Sequence, residues 1–280
     1  MNFLLDMIQI ILRIYCRMLI IDEFPFIALE NPTIKSILQH TIDLQWKQKN
    51  MFLILCGSSV SFMEDEVLAH KSPLYGRSAA HIDLKTFDYF ESAAFFPSFS
   101  LEEKLLAYVI LGGVPSYLES FDDSKLVEQN IASKILRNGA FLKDEPTFLL
   151  RQELREPAVY NSIFEAIAGG ASRINDIASK IHEEPQKCSK YLKTLQTIRL
   201  VKKCVPCGED ENSRKTIYNI ADNFFLFWYH FLFEHNSYYE LLGAKKSAAE
   251  IMKAENINTH FGFVFETILN GKCRTTLMCF

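Results

Sequence analysis

Four apolar residues, Met18-Leu-Ile-Ile21, run straight into Asp22-Glu23, and Phe24-Pro25-Phe26 closes the run. So short a continuous apolar run, bounded by a breaker, predicts a strand buried on both faces at the centre of a parallel sheet. A second such run, Met51-Phe-Leu-Ile-Leu-Cys56, ends on Gly57-Ser58-Ser59. Between them a polar segment from about Asn31 to Lys49 has helical spacing, with Asn31 or Pro32 placed to start it. Strand, helix, strand with both strands apolar predicts a parallel βαβ unit, whose two strand ends point to one sheet edge. His81-Ile-Asp-Leu84 reads as a further short strand. Upstream, Phe3, Leu4, Met7, Ile8, Ile11 and Leu12 share one helical face, suited to packing on the Leu19–Ile21 strand.

The later pattern is helical. Leu101–Ile110 is periodic, Leu111-Gly-Gly-Val-Pro115 interrupts it, and helices follow at about Pro115–Glu119, Ser124–Ile135 and Glu145–Leu154. Phe87 to Phe99 holds five Phe and one Tyr, a dense aromatic joint. From Glu156 three helices are expected (Tyr160–Ile167, Ser172–Ile181, Pro185–Thr197), then strands Leu200–Val205 and Lys215–Ile220 around the polar loop Gly208–Arg214. Three helices and a hairpin in that order predict a winged helix-turn-helix. Ala221–Phe233 is a helix too apolar to face water and requires a partner surface. The expected fold class is therefore α/β plus α: a parallel-sheet α/β domain (1–98), a small α-helical layer (99–155), a winged helix-turn-helix (156–225), and an aromatic helix with the chain that follows it (226–280).

Composition narrows the classes. With 280 residues, 49% hydrophobic and 23% charged, the chain is globular and not disordered. The net charge of −4 offers no chain-wide affinity for nucleic acid, so any basic surface is local. Between 171 and 220, ten Lys or Arg stand against six acids. Seven scattered cysteines lack a disulfide-like framework and read as reduced thiols of a cytoplasmic protein. Cys204 and Cys207 have CxxC spacing without a second pair, and His230 and His235 are five apart rather than the four of a helical metal pair. No basic region precedes the apolar N-terminus, and Arg13 and Arg17 cut it short of the roughly 20 residues of a membrane span. No membrane partner is expected.

The candidate chemistry sits at the predicted sheet edge. Paired carboxylates there suit nucleotide hydrolysis: Asp22 holding Mg²⁺ through water, Glu23 polarising the attacking water. The bland alternative is a strand ending in an acidic loop. A hydroxyl of Ser58 or Ser59 could bond that water or the γ-phosphate, or simply cap the next helix. Arg77, after the turn-rich Lys71–Gly76, is either a surface salt-bridge residue or a cationic finger for phosphoryl transfer, reaching across an interface if the chain forms a homo-oligomer. Lys187, Lys190 and Lys193 recur every third residue of the third winged-helix helix. With Arg214 and Lys215 of the hairpin they suit double-stranded DNA, or else form a solvated face on a protein-docking module.

Together Leu19-Ile-Ile-Asp-Glu-Phe, Leu53-Ile-Leu-Cys-Gly-Ser-Ser, Ser72-Pro-Leu-Tyr-Gly-Arg, Gly112-Gly-Val-Pro, Glu153-Leu-Arg-Glu-Pro and Ala221-Asp-Asn-Phe-Phe-Leu-Phe-Trp-Tyr resemble the archaeal-type ATPase family of the AAA+/STAND kind. That family orders a P-loop ATPase domain, a helical lid, a winged helix and a restriction-endonuclease-like domain. The resemblance implies that 1–98 is the C-terminal half of a P-loop parallel-sheet ATPase domain, 99–155 the helical lid, and 226–280 the aromatic helix with the truncated start of the nuclease-like domain. The resemblance implies ATP and Mg²⁺ as cofactors, Asp22 as the Mg²⁺-linked carboxylate, Glu23 as base, Ser58 or Ser59 as sensor and Arg77 as finger. It places Pro115 against the nucleotide base, and matches Gly262 and Phe265-Glu266 to the first nuclease-like helix. No G-x-x-x-x-G-K-[S/T] occurs in the 280 residues. The chain is therefore expected to be a fragment, inactive alone, cut before the phosphate loop and after that first helix. The competing expectation is a non-enzymatic winged-helix module, binding DNA or protein, with a vestigial ATPase half.

Overall fold

The computed structural model describes residues 18–47, 49, 51–58, 62–205, 215–253, 255, 257–258, 260–262 and 264–265. They fall into two compact units that divide after Asp83. The whole is mixed α/β, mostly helical, with one small parallel sheet.

In the first unit β1 (Met18–Ile21) leads into α1 (Phe24–Glu30) and α2 (Ile34–Thr41), which continues as a π-type turn, Ile42–Trp46. Then β2 (Phe52–Leu55) pairs with β1 in parallel, Met18 opposite Phe52 and Ile21 opposite Leu55. The predicted βαβ order is present, but its helical part is split. Pro25 sits in the first turn of α1, where its missing N–H costs nothing, and Asn31 closes that helix instead of opening the next. Among the described residues the sheet has one covered face. Leu19, Ile21, Leu53 and Leu55 pack on a core of Phe24, Ala28, Ile34, Leu38, Trp46, Val67 and Leu74. On the other face Met18, Ile20 and Phe52 are 49%, 54% and 61% exposed, against the expectation of burial on both sides. Nor is 81–84 a strand: Ile82 and Leu84 lie in an irregular stretch at 84% and 86% exposure. No strand among the described residues pairs with 81–84, and apolar content does not supply a ladder. The expected helix over 3–12 lies outside the described residues.

The second unit starts with capping chemistry. Asp88 and Glu91 form a reciprocal box on α3 (Tyr89–Ala93), and Ser100 and Glu103 do the same on α4 (Leu101–Leu111). The first glycine after α4, Gly112, takes φ +69°, ψ −150°, a conformation open to glycine alone. The next, Gly113, lies so close to the Phe87 backbone that a Cβ would stand 1.9 Å from the Phe87 carbonyl oxygen. Beyond α5 (Pro115–Leu118), α6 (Val127–Asn130) continues as a π-type turn to Leu136, its start tied by the fully buried Asn130, which exchanges two 2.8 Å hydrogen bonds with the Asp122 backbone. α7 (Phe141–Glu153) begins four residues before the expected Glu145 and carries Pro146 inside. The indole N–H of Trp228 donates to the Lys143 carbonyl (2.7 Å) in the turn that Pro146 disturbs.

Three further helices, α8 (Pro157–Ala168), α9 (Ile174–Lys180) and α10 (Pro185–Thr197), precede an antiparallel pair, β3 (Val201–Cys204) and β4 (Ile217–Ile220), with Val201 opposite Ile220. The Tyr218 N–H reaches back to the Ser172 carbonyl at 2.7 Å and fastens this pair to the turn before α9. The aromatic helix α11 (Asn223–Trp228, continuing to Phe233) finds its partner surface among the preceding helices. Phe224, Phe225, Phe227, Trp228, Tyr229, Phe231 and Leu232 are buried in a single core that runs from Phe96 to Ile257. Last come α12 (Asn236–Leu242) and α13 (Ala244–Ile251).

Candidate nucleotide-site edge

Parallel pairing of β1 with β2 brings the two strand ends to one edge. The ladder runs on past the strands, with Cys56 N–H donating to Ile21 O (2.9 Å) and Phe24 N–H to Cys56 O (2.9 Å). Between those bonds the chain turns through Asp22 and Glu23. The Asp22 carboxylate accepts the Glu23 N–H at 3.0 Å, and Glu23 sits at φ 49°, ψ 40°, the left-handed region that costs a residue with a Cβ roughly 1–2 kcal/mol. Across the edge the Ser58 hydroxyl donates to Glu23 Oε2 at 3.3 Å. The two strand ends are locked by a direct backbone–ring contact: a Cβ at Gly57 would stand 2.4 Å from Pro25 Cδ, so only glycine lets Pro25 lie over the second strand's end.

Asp22, Glu23 and Ser58 are all exposed and together offer only oxygen ligands. That set suits Mg²⁺, which takes one or two carboxylates and completes its octahedron with water and phosphate oxygens. Asp22 would hold the ion, and the bound ion would neutralise phosphate charge. Among the described residues no three His, Cys, Asp or Glu gather into a closed metal cage.

Of the other expected residues, Arg77 belongs to the same unit as this trio and Pro115 to the other. Ser59 and Arg214 fall outside the described residues, as do Cys207 and Glu266. Arg77 is fully engaged within its own unit: Nε donates to both Asp43 carboxylate oxygens (3.1 and 3.2 Å), Nη2 to Oδ2 (2.7 Å), and Nη1 to the Pro73 and Tyr75 carbonyls (2.9 and 3.2 Å). The guanidinium beside it holds the Asp43 carboxyl below its usual range. Asp43 was not singled out from the sequence, because nothing local joins it to a residue 34 positions on. Pro115 is exposed at the first turn of α5 in the second unit.

On α10, Lys187, Lys190 and Lys193 are exposed, as is Lys215 at the foot of β4. They are not equivalent. Lys187 is paired with Glu183 (2.7 Å) and lies over the Tyr191 ring at 5.8 Å, and Glu183 and Glu184 stand at the start of the helix.

A half-buried acid, Asp222, lies outside the candidate residues that the sequence pattern points to. It caps α11 by accepting the Phe225 N–H at 2.9 Å, and burial raises its pKa to about 6 against the pull of the Phe225 and Phe224 amides. The signal was available, since an Asp directly before an apolar helical run is an N-cap pattern.

Residues 10–121 match the family model of an ATPase domain predominantly from Archaea. The matched segment takes in both strand ends and Gly112-Gly-Val-Pro115, so this part of the chain is similar to an ATPase domain. An uncharacterized protein of Methanocaldococcus jannaschii, MJECL04, is 35% identical over 253 residues, 90% of this chain. The chain spans 56% of the length of that relative. No helix among the described residues is long and apolar enough to cross a membrane.

Proposed function

We propose that this chain carries the hydrolytic edge of an ATP site in an AAA+/STAND-like protein, with α3–α7 acting as lid and α8–β4 as a winged helix. The observation that carries the reading is the Ser58–Glu23 hydrogen bond at the end of two parallel strands, inside the segment similar to archaeal ATPase domains. Asp22 holds Mg²⁺ through water, Glu23 polarises the attacking water, and Ser58 fixes the carboxylate that does so. Pro115 lies against the base. For Arg77 the bonds to Asp43 and two turn carbonyls favour a tie within the fold, and a finger role requires its release from Asp43. Without a Gly-Lys-Ser/Thr loop the carboxylates meet a polyanion with no cationic cradle, so residues 1–280 alone turn over no ATP.

ATP hydrolysis by the full reading frame that encodes this chain tests the reading. Glu23→Gln should lower turnover by about 10²–10⁴-fold while nucleotide remains bound. Undiminished turnover in that variant removes Glu23 from the chemistry.

The second reading, a binding module, is favoured by the exposed Lys190 and Lys193. Against duplex DNA as the partner stand Glu183 and Glu184, which place negative charge at the end of α10 that would enter a groove. If DNA does bind, Lys190→Ala should reduce the salt-dependence slope by about one. No binding to duplex at low salt leaves a protein as the partner of this face.

A further inference from the structure

Among the described residues beyond α13, Ile257, His260 and Val264 are buried, at the spacing of one helical face. An imidazole 1% exposed thus stands in a row of apolar side chains. Its Nε2 lies 3.1 Å from the Val109 carbonyl oxygen, 151 positions earlier on α4. A carbonyl only accepts, so Nε2 carries the ring hydrogen and Nδ1 is left with a bare lone pair. Nδ1 is itself buried and has no hydrogen-bond partner. Phe227 and Phe231 of α11 stand edge-on to the ring, each at 5.6 Å, and His230 lies at 6.0 Å. A buried nitrogen without a partner costs the fold, and an apolar residue would complete the row without that cost. The hydrogen bond from Nε2 is what an apolar residue cannot supply.

We propose that His260 is a latch by which the chain beyond α13 holds the end of α4, and with it the Gly112–Pro115 turn. Val109 belongs to the last turn of α4, where carbonyls run out of amides from their own helix. The preceding carbonyl, of Tyr108, accepts the Gly112 N–H at 2.8 Å and the Asn223 side-chain amide at 3.1 Å. His260 serves the next carbonyl along. Two glycines follow, and glycine has the widest backbone freedom of any residue, so this turn is held in shape from outside. Phe87 holds it at the Gly113 carbonyl, Asn223 at Tyr108 and His260 at Val109. These three ties come from the start of the unit, from α11 and from beyond α13. Withdrawal of His260 releases one of them and loosens the turn. The latch concerns the turn itself, and it stands whether or not Pro115 meets a nucleotide base.

The test is residue-resolved amide hydrogen exchange on the 280-residue chain, unsubstituted and as His260→Met and His260→Gln. Met fills the apolar row without a donor, whereas Gln carries an amide N–H to about the place of Nε2. The Gly112, Tyr117 and Leu118 amides report on the turn through their bonds to the Tyr108 and Val114 carbonyls (2.8, 3.0 and 3.1 Å). The Ile177 amide of α9 serves as the reference for the unit as a whole. In His260→Met the three turn amides should exchange about fivefold faster relative to Ile177, the worth of one ordinary hydrogen bond. In His260→Gln they should keep the unsubstituted ratio. An unchanged ratio in His260→Met, or an equal rise in both variants, overturns the proposal. Should His260→Met not fold, the imidazole ¹⁵N spectrum of the unsubstituted chain decides. The latch requires hydrogen on Nε2 and a bare Nδ1, and the opposite tautomer overturns it.

Discussion

The two units are built on different terms. Among the described residues, the first buries seven hydrophobic side chains under one face of a two-stranded sheet and leaves Met18, Ile20, Phe26, Leu29, Leu44 and Phe52 exposed. The second threads one continuous core through helices from Phe96 to Ile257, with Phe164, Phe224, Phe225 and Phe227 at or near zero exposure. A pair of strands with one covered face is marginal by itself, whereas interlocked helices are not. The carboxylates of the proposed site therefore sit in the lightly held unit and the packing energy lies in the other. A left-handed Glu23 is the kind of local strain that functional edges carry and that surrounding structure has to hold in place.

The largest expected effect comes from attacking each core separately. Phe24→Ala and Phe224→Ala each remove a fully buried ring, at a cost of about 3–5 kcal/mol. Calorimetry should show two transitions in the unsubstituted chain. Phe24→Ala should erase or depress only the smaller one, and Phe224→Ala only the larger. A single transition that both substitutions lower equally would merge the units into one cooperative body.

A smaller effect is expected at the strand ends. Gly57→Ala drives a methyl into Pro25, an overpacking cost of about 1–3 kcal/mol. The smaller transition should fall while the larger holds. Nuclear Overhauser contacts between Glu23 and Ser58 should weaken, and their persistence at full strength would show that the edge does not depend on this lock.

The second unit can be probed by pH, where two titratable groups pull in opposite directions. Burial of His260, together with the charge of His230, lowers its pKa to about 4, with Nε2 against the Val109 carbonyl (3.1 Å). Its stabilisation is full above the ordinary histidine range near 6.5 and is lost as pH falls from there toward 4. Asp222, raised from 3.8 to about 6, does the reverse: its contribution is full below 3.8 and is lost as pH rises through 6. His260→Gln should therefore make the larger transition less sensitive to acid, and Asp222→Asn, which keeps an N-cap, should make it more sensitive. Identical pH profiles for the two variants would remove both assignments.

The smallest effect belongs to Arg77. Its partner Asp43 is partly open to water, which screens the pair, so Arg77→Ala should bring only a slight fall in the smaller transition. A midpoint that does not move at all would leave the arginine without a structural use and would strengthen the finger reading.

Much of this arrangement was legible in the residue pattern, for a physical reason. Continuous apolar runs and the parallel crossover between them force Asp22-Glu23 and Ser58 to a common edge, whatever surrounds them. The three-helix and hairpin order was equally readable, because Gly169-Gly170, Pro185 and the polar loop punctuate it. What the pattern lacked were partners supplied by distant chain. Burial of both sheet faces failed because apolarity records a need for cover and not its presence. The strand at 81–84 failed likewise, lacking a neighbour. Asp43 became visible only once α2 and the 73–77 turn were brought together. Lys187, read as one of three equal cations, loses that equality to Glu183 one turn before it.

The close approach at Gly113 has a mechanical consequence. The Phe87 N–H donates to the Gly113 carbonyl at 2.9 Å, and nothing larger than hydrogen fits between the two backbones. Three residues separate Asp83 from Phe87, so tension along the chain after Asp83 reaches this rivet before it reaches any helix of the second unit. It is delivered there to the end of α4 and to Pro115 together. A side chain at position 113 would shear the rivet and part the Phe87 backbone from the end of α4.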